Sequence, residues 1–441
     1  MNAHRRHSPA QPTMSRRRFT AGAALGSALA HLPVCAPAAD GPPAERLNIA
    51  LVGIGGQGAA NLAGVKDQNV VALCDVHEAR AGKGFEQFPR AARFTDFRTM
   101  FDRMERGIDA VVVSTPDHTH FHPAWWALER GKHLYLEKPL AHEVEEVRHL
   151  VDSARAKNLA TQLGCQRHAP AGLRAGVELA RSGRIGPIAE VHCWIRSSRG
   201  MPAEPTGTEP APADLDWDLW LGPNAPRTYQ KGFAPYDWRF WWEFGTGETG
   251  NWGCHILDIP FWALELGHPV HVEAAGPPVD ARRAPTALAS RLDFPARGDR
   301  PAVRLHWYQG TPPVLAEKGL DDAAAKDFNT LFVGRDGLLL CGFSKWRLLP
   351  EDRFAEVKEP PQTLAPSPGF HREWLAACRG GPPASCHFGY TGPLAESVLL
   401  ANVAFRAGRA FDWDAARLTA SDEAAAALLR RAYRPGWEIP G

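Results

Sequence analysis

The chain carries almost no net charge. Lysine and arginine total 50 against 49 acidic residues, a balance of +1, and charged residues make up only 22%. With no excess of either sign there is no electrostatic footprint for nucleic acid or an acidic membrane surface. Long apolar runs are missing too. No stretch reaches the roughly 18 residues needed to span a bilayer, so stable membrane insertion is not expected. Internal repeats are absent, and low complexity is confined to alanine- and proline-rich patches. Cysteines are few, and no pair has zinc-type spacing, so no metal site is expected. What the chain has in quantity is glycine, proline and tryptophan, at 41, 38 and 15 residues. The first two point to long loops rather than a helical bundle. A length of 441 residues suggests two or three domains with a large core.

Residues 1–14 are polar. Ser15-Arg16-Arg17-Arg18-Phe19-Thr20 then leads into the apolar, alanine- and glycine-rich stretch Ala21–Leu32, with small residues at Ala36-Pro37-Ala38-Ala39. A basic region, a short apolar region and a small-residue site read as a removable leader over 1–40. The arginine pair with phenylalanine two places on resembles a twin-arginine signal. That predicts passage through the twin-arginine export machinery and a periplasmic or secreted product, folded before export. Cys35 suggests a lipid anchor as the weaker alternative, because bulky Val34 stands where a small residue is required. Once the leader is removed, seven cysteines remain, an odd number expected to stay reduced and in several cases buried.

From Leu47 an apolar run leads into Gly53-Ile54-Gly55-Gly56-Gln57-Gly58, and a second run ends at Asp75, 22 residues after Gly53. Strand, glycine turn, helix, strand and acidic tip is the order a dinucleotide site requires. Gly53 allows the tight turn, Gly55 the approach of backbone to pyrophosphate, and Gly58 the close seating of helix Gly58–Asp67 on the strand. The helix start offers free N–H groups to phosphate. Asp75 is placed for a ribose diol and favours NAD over NADP, with Arg80 keeping NADP as the alternative. Apolar strands at Asn69–Asp75, Ile108–Val113, His133–Leu136 and Leu159–Gly164 alternate with helices at Phe97–Arg106, His122–Arg130 and Glu143–Lys157. That alternation implies a doubly wound parallel sheet with helices on both faces. Ligands of such sheets bind beyond the carboxyl ends of the strands, where Ser114–His120 and Glu137–Lys138 also fall.

After about Gln166 the pattern changes. Helix Gly172–Ser182 precedes strands at Ile188–Ile195, Ala289–Phe294, Ala302–Tyr308, Thr330–Gly334 and Leu338–Leu340. Helices follow at Phe370–Arg379 and Pro393–Gly408. The expected architecture is therefore an α/β first domain over 46–166 and an α+β domain over 167–441 with an open, largely antiparallel sheet. Six tryptophans, from Trp217 to Trp252, fall within 36 residues in and beside the loop-rich stretch Arg196–Glu248. Flat apolar rings beside polar groups suit the faces of a sugar, and they equally suit a core or an oligomer interface.

These residues resemble the Gfo/Idh/MocA oxidoreductases, in their exported, twin-arginine branch. The resemblance rests on the glycine loop, Cys74-Asp75-Val76, Ser114-Thr115-Pro116-Asp117-His118-Thr119-His120, and Gly131-Lys132-His133 leading to Glu137-Lys138-Pro139. It continues through Gly164-Cys165-Gln166 with His168, Gly253-Cys254-His255-Ile256-Leu257-Asp258, and Glu396–Ala404. It implies a Rossmann domain, a nicotinamide cofactor and a sugar or polyol substrate, with a homo-oligomer by analogy. The implied cofactor-binding residues are Gly53, Ile54, Gly55, Gln57, Gly58, Asp75, Thr115, Pro116, His118, Glu137, Lys138 and Gln166. The implied substrate-binding residues are Lys138, Trp238, Arg239, Asn251 and His255.

Oxidising a secondary alcohol needs a hydride acceptor, a base for the hydroxyl proton, and positive charge near the developing alkoxide. Lys138 suits the last role and His255 the acid/base role. Many relatives carry Asp four residues before this histidine, where this chain has Asn251. Asparagine hydrogen-bonds but takes no proton at neutral pH, so the base role falls on His255 or Lys138. Asp258 is placed either to orient His255 or to cap backbone. His118, His120 and His122 offer a metal reading, but Thr115-Pro116 argues for a turn and no fourth ligand is evident. The expected function is an NAD-dependent oxidoreductase acting on a sugar or polyol hydroxyl. The alternatives are a glycoside hydrolase that uses tightly held NAD for transient oxidation, elimination and reduction, and a non-catalytic sugar-binding protein hinted at by Asn251.

Overall fold

Two β-sheets with helices between and around them position everything that follows. The computed structural model describes residues 46–439. The stretch expected to be a leader, with its arginines and Cys35, lies outside the described residues. From Arg46 onward the chain forms one compact unit.

The first sheet has six strands, β1 (Asn48–Val52), β2 (Asn69–Cys74), β3 (Ala92–Phe94), β4 (Ala110–Val113), β5 (His133–Leu136) and β6 (Thr161–Leu163). All pairs are parallel, in the order β3-β2-β1-β4-β5-β6. Strands β1 and β4 are buried almost throughout, which is why they read as unbroken aliphatic runs rather than alternating ones. The crossovers carry α1 (Gln57–Gly64), α2 (Glu78–Gln87), α3 (Phe97–Met104), α4 (Phe121–Glu129) and α5 (Val144–Ala156). Strand order reverses between β1 and β4, opening a crevice at their carboxyl ends.

Past β6, helix α6 (Ala171–Arg181) leads to β7 (Ile188–Ile195), and the short α7 (Trp217–Leu221) sits in the aromatic loop region. Helices α8 (Gly247–Ile256) and α9 (Asp258–Leu264) follow, then strands β8 (His271–Ala275), β9 (Leu288–Phe294) and β10 (Val303–Gln309). Short helices α10 (Val314–Glu317) and α11 (Asp322–Ala325) precede β11 (Thr330–Gly334), β12 (Leu338–Cys341) and β13 (Trp346–Leu349). The chain closes with α12 (Phe370–Cys378), α13 (Phe388–Ala407), β14 (Phe411–Asp414), β15 (Thr419–Ala420) and α14 (Glu423–Ala427).

The second sheet has nine strands in the order β13-β12-β11-β7-β10-β9-β8-β14-β15, and only the β7–β10 pair is parallel. In β9 and β10, Leu292, Phe294, Leu305 and Trp307 face the core while Arg291, Asp293 and Arg304 face outward. Helix α8 lies against β7 and β10, and α13 against β8, β9 and α5. Helix α13 therefore joins the two layers, and it is buried from Thr391 to Phe405 except at Pro393.

Several local expectations need correction. Helix α13 starts at Phe388, five residues before Pro393, which lies inside it. The proline removes one backbone hydrogen bond, and burial on every side of this helix outweighs that loss. Strands β3, β8, β13, β14 and β15 and helix α2 carried no clear signal, being short, polar or at sheet edges. All seven described cysteines are free, and six are buried.

Candidate active site

The glycine loop forms as its spacing predicts. Gly53 has φ +79°, and its N–H donates to the Cys74 carbonyl at 2.8 Å. A Cβ on Gly58 would stand 2.1 Å from the Gly53 carbonyl oxygen, so only glycine lets α1 sit this close to β1. Helix α1 begins without a side-chain cap; Gly58 and Ala59 N–H donate to the Gly55 and Gly56 carbonyls, and the uncapped helix start faces the cleft through Gly56 and Gln57. Asp75 closes the loop from the tip of β2. Its Oδ2 accepts from Ile54 N at 2.8 Å and Gly55 N at 3.3 Å, and its Oδ1 accepts from His77 N at 3.0 Å. The carboxylate thus braces the loop and still faces the cleft.

This loop opens into a cleft of about 590 Å³ that runs across the carboxyl ends of the first sheet to α8. Gly53, Gly55, Gln57, Asp75, Thr115, Pro116, Glu137, Lys138 and Gln166 all line it. So do Trp238, Arg239, Asn251 and His255 from the second region. Among the described residues the buried Thr115 hydroxyl has no hydrogen-bond partner, and the volume is that of cofactor pockets generally, roughly 300–1,000 Å³. Uncapped helix, glycine turn, orphan hydroxyl and acidic tip together fit a dinucleotide.

Three expected cofactor residues do not line the cleft. Ile54 is buried beneath the loop and takes part only through its backbone N–H, and Gly58 acts through packing. His118 is a clear correction. The helical turn over Asp117–Thr119 sends its ring inward, with Nε2 2.8 Å from the Trp220 carbonyl and the ring 5.0 Å from Trp220 and 5.1 Å from Phe244. Burial holds its pKa well below the ordinary histidine value. His120 turns to the carbonyls of Pro139 and Thr115, and His122 to that of Trp437. The three imidazoles satisfy separate pieces of backbone rather than converging on one point.

At the far end of the cleft, Glu137 is buried and its Oε1 accepts from Asn61 at 2.9 Å and Gln166 at 2.6 Å. A Cβ on Gly164 would stand 2.6 Å from the Glu137 carboxyl, so this packing needs glycine there. Lys138 follows, and its Nζ donates to Asn251 Oδ1 at 3.1 Å. Asn251 and His255 lie one turn apart on α8, on the same face. Asn251 Nδ2 donates to Glu248 Oε2 at 3.1 Å, and Glu248 is buried against Arg199 at 2.7 Å. The acidic group absent at position 251 thus stands three residues earlier, paired with an arginine. The partners also fix the amide: its oxygen faces an ammonium and its nitrogen a carboxylate.

Burial, with Lys138 and Arg167 nearby, holds the His255 pKa well below its ordinary value. The ring is neutral at pH 7 and able to accept a proton, and its buried Nδ1 has no partner among the described residues. Asp258 takes neither of its expected roles. It is fully buried, accepting from Tyr390 at 2.6 Å and pairing with His168 at 2.8 Å. Of the six clustered tryptophans, Trp220, Trp238 and Trp252 line the cleft, while Trp241 and Trp242 are core. Tyr236, which falls within the aromatic cluster, lines it too, as do Arg167, Arg199 and Trp437, which had no sequence signal.

Two family models match the chain. One, described as an oxidoreductase family with an NAD-binding Rossmann fold, covers residues 47–165, and its C-terminal α/β domain covers 201–286. The chain belongs to the Gfo/Idh/MocA oxidoreductase family. Among curated Gfo/Idh/MocA relatives, inositol 2-dehydrogenase 3 of Saccharopolyspora erythraea is 34% identical over 140 residues, 30% of this chain and 39% of that protein. Alpha-N-acetylgalactosaminidase of Shewanella oneidensis is 30% identical over 183 residues, 37% of this chain and 39% of that protein. The chain thus spans about two fifths of the length of the relatives it matches. In fold it is similar to the WlbA dehydrogenase of Bordetella pertussis, solved with NADH and UDP-GlcNAcA. That similarity has a TM-score of 0.59 and 17% identity, over 84% of this chain and 99% of the other.

Proposed function

We propose that this Gfo/Idh/MocA protein is an NAD-dependent oxidoreductase acting on a hydroxyl of a sugar or polyol. The observation that carries the reading is that Lys138, Asn251 and His255 meet in the same cleft as the glycine loop, beyond the carboxyl end of β5. A bound NAD supplies the two-electron acceptor for a hydride leaving the carbinol carbon. The chain supplies the rest. Lys138 places positive charge at the substrate oxygen, held in line by the Asn251 amide. Neutral His255 accepts the hydroxyl proton, so the substrate loses one hydride from carbon and one proton from oxygen. Trp238 and Trp252 offer apolar faces to a ring, and Arg239 and Asn251 offer polar contacts to its hydroxyls. Asp75 supports NAD over NADP, since a carboxylate repels a 2′-phosphate.

The second reading is glycoside hydrolysis with retained NAD and no net redox change, favoured by the likeness to an α-N-acetylgalactosaminidase. Export through the twin-arginine route belongs to the same proposal, as does assembly into a homo-oligomer. Loading the purified protein with NAD and supplying polyols and chromogenic glycosides separates the two readings. Stoichiometric NADH supports the dehydrogenase, and aglycone release without NADH supports the hydrolase. Lys138→Ala and His255→Ala should each lower kcat/KM by about 10²–10⁴-fold with unchanged circular dichroism. Wild-type turnover in both removes these roles.

A further inference from the structure

The last described segment of the chain, from Leu428 on, leaves α14 and crosses back over the first sheet. Arg431 anchors it, donating to the His118 carbonyl at 2.7 Å, to Asn224 Oδ1 at 2.8 Å and to Glu146 Oε1 at 3.1 Å. Tyr433 OH donates to the same Glu146 oxygen at 2.9 Å, and Glu146 is 1% exposed. Arg434 pairs with Asp218 at 2.5 Å and donates to the Gly222 carbonyl at 2.6 Å. Three residues further on, Trp437 is pinned on several sides. Its carbonyl faces His122 Nε2 at 2.8 Å, the Arg98 guanidinium lies 4.6 Å over its ring, and Phe97 lies 6.0 Å away. The ring is 6% exposed, yet it lines the cleft.

The topology says which end of the cleft this is. Trp437 contacts Phe97 and Arg98, which follow β3, and His122 at the start of α4 after β4, and it lines the cleft together with Asp96 and Pro123, which places it on the Asp75 side of the glycine loop. Lys138, Asn251 and His255 lie at the other end, beyond β5. In a sheet of this strand order the adenosine half of a dinucleotide lies over the β1–β3 side. We propose that Trp437, carried in by this C-terminal strap, is the outer wall of the adenine subsite and slows the release of the cofactor. This rests on the NAD reading above. A flat indole held edge and face by protein loses no rotamer freedom on meeting a purine, so contact with it goes directly into affinity. The anchors reach α5, the turn before α4 and the loop after α7. The wall is therefore built only when this C-terminal segment has docked on all three.

The test uses the full-length protein, purified and stripped of nucleotide, with calorimetric binding of NAD and of ADP-ribose, which lacks the nicotinamide. Trp437→Ala should raise Kd for both ligands by about the same factor, roughly tenfold, as expected for a lost aromatic contact of about 1.4 kcal/mol. Trp437→Phe should restore most of it. The ligand-free thermal midpoint of each variant separates loss of the wall from loss of the strap. A midpoint unchanged within a few degrees alongside weakened binding supports the proposal. Unchanged Kd in Trp437→Ala overturns it, as does weakening for NAD alone, which would assign the effect to the nicotinamide end. If the wild-type protein binds neither ligand, the NAD reading itself fails, and that result is distinct from both.

Discussion

At the residue scale the site is governed by which polar groups find partners. Lys138 donates to Asn251, and that amide is oriented by a buried carboxylate behind it. Replacing Asn251 by Asp would place a second carboxylate 3 residues from Glu248 on the same helix. Two acidic groups sharing one site repel, so one takes up a proton at higher pH. An Asn251→Asp variant should therefore move the acid limb of the pH–rate profile upward, read from kcat/KM between pH 5 and 9. Histidines buried in neutral form set the acid stability. Burial lowers His122 to about 4 from 6.5, and His118 and His255 move the same way. A lowered histidine pKa makes the unfolded chain bind more protons below pH 6.5, so stability is full above that pH and drains away as pH falls toward 4. His122 alone accounts for up to about 3 kcal/mol of that loss, from 6.5 down to about 4. Thermal midpoints should fall steadily across that window, and His122→Gln should flatten the fall. A midpoint independent of pH between 7 and 4 would contradict the assignment.

At the element scale the glycine turn is the tightest constraint. Gly58→Ala drives a Cβ to 2.1 Å from the Gly53 carbonyl, a backbone atom that cannot swing aside. We expect a loss of about 1–3 kcal/mol or more from overpacking, together with loss of dinucleotide binding as α1 is pushed off β1. Gly82→Ala, in the middle of α2 with nothing within 4 Å of the new Cβ, is the matched control. It should gain about 0.5–1 kcal/mol, measured as a raised denaturation midpoint. The turn was legible because much of its cause is local: Gly53 holds a positive φ, and Gly58 packs against the Gly53 carbonyl five residues away. His118 was misread for the opposite reason. Its neighbours suggested a loop facing the cleft, but the groups that capture its ring are Trp220 and Phe244, more than 100 residues away.

At the scale of the whole molecule, a buried ion pair fastens the C-terminal strap to α5. Glu146 meets Arg431 at 3.1 Å with both side chains largely shielded from water. Arg431→Met strands a buried carboxylate, and we expect a loss of about 3–5 kcal/mol in chemical denaturation. Restoring charge balance with Glu146→Gln in the same chain should recover part of that. Independent additivity of the two changes would mean that the pair is not coupled.

The sequence by itself determined five of the six strands of the first sheet, the glycine turn, its acidic tip and the Glu137-Lys138 end. Each of those depends on a short repeating pattern of burial or on a backbone angle that only glycine reaches cheaply. It also placed His255 and Asn251 one helical turn apart. What only the tertiary structure decided is who faces whom. The Arg199–Glu248 pair behind Asn251, the inward turn of His118 and the arrival of Trp437 at the far wall join residues 49 to 315 positions apart. Such contacts follow from how two sheets and α13 close on one another, and no periodicity along the chain encodes them.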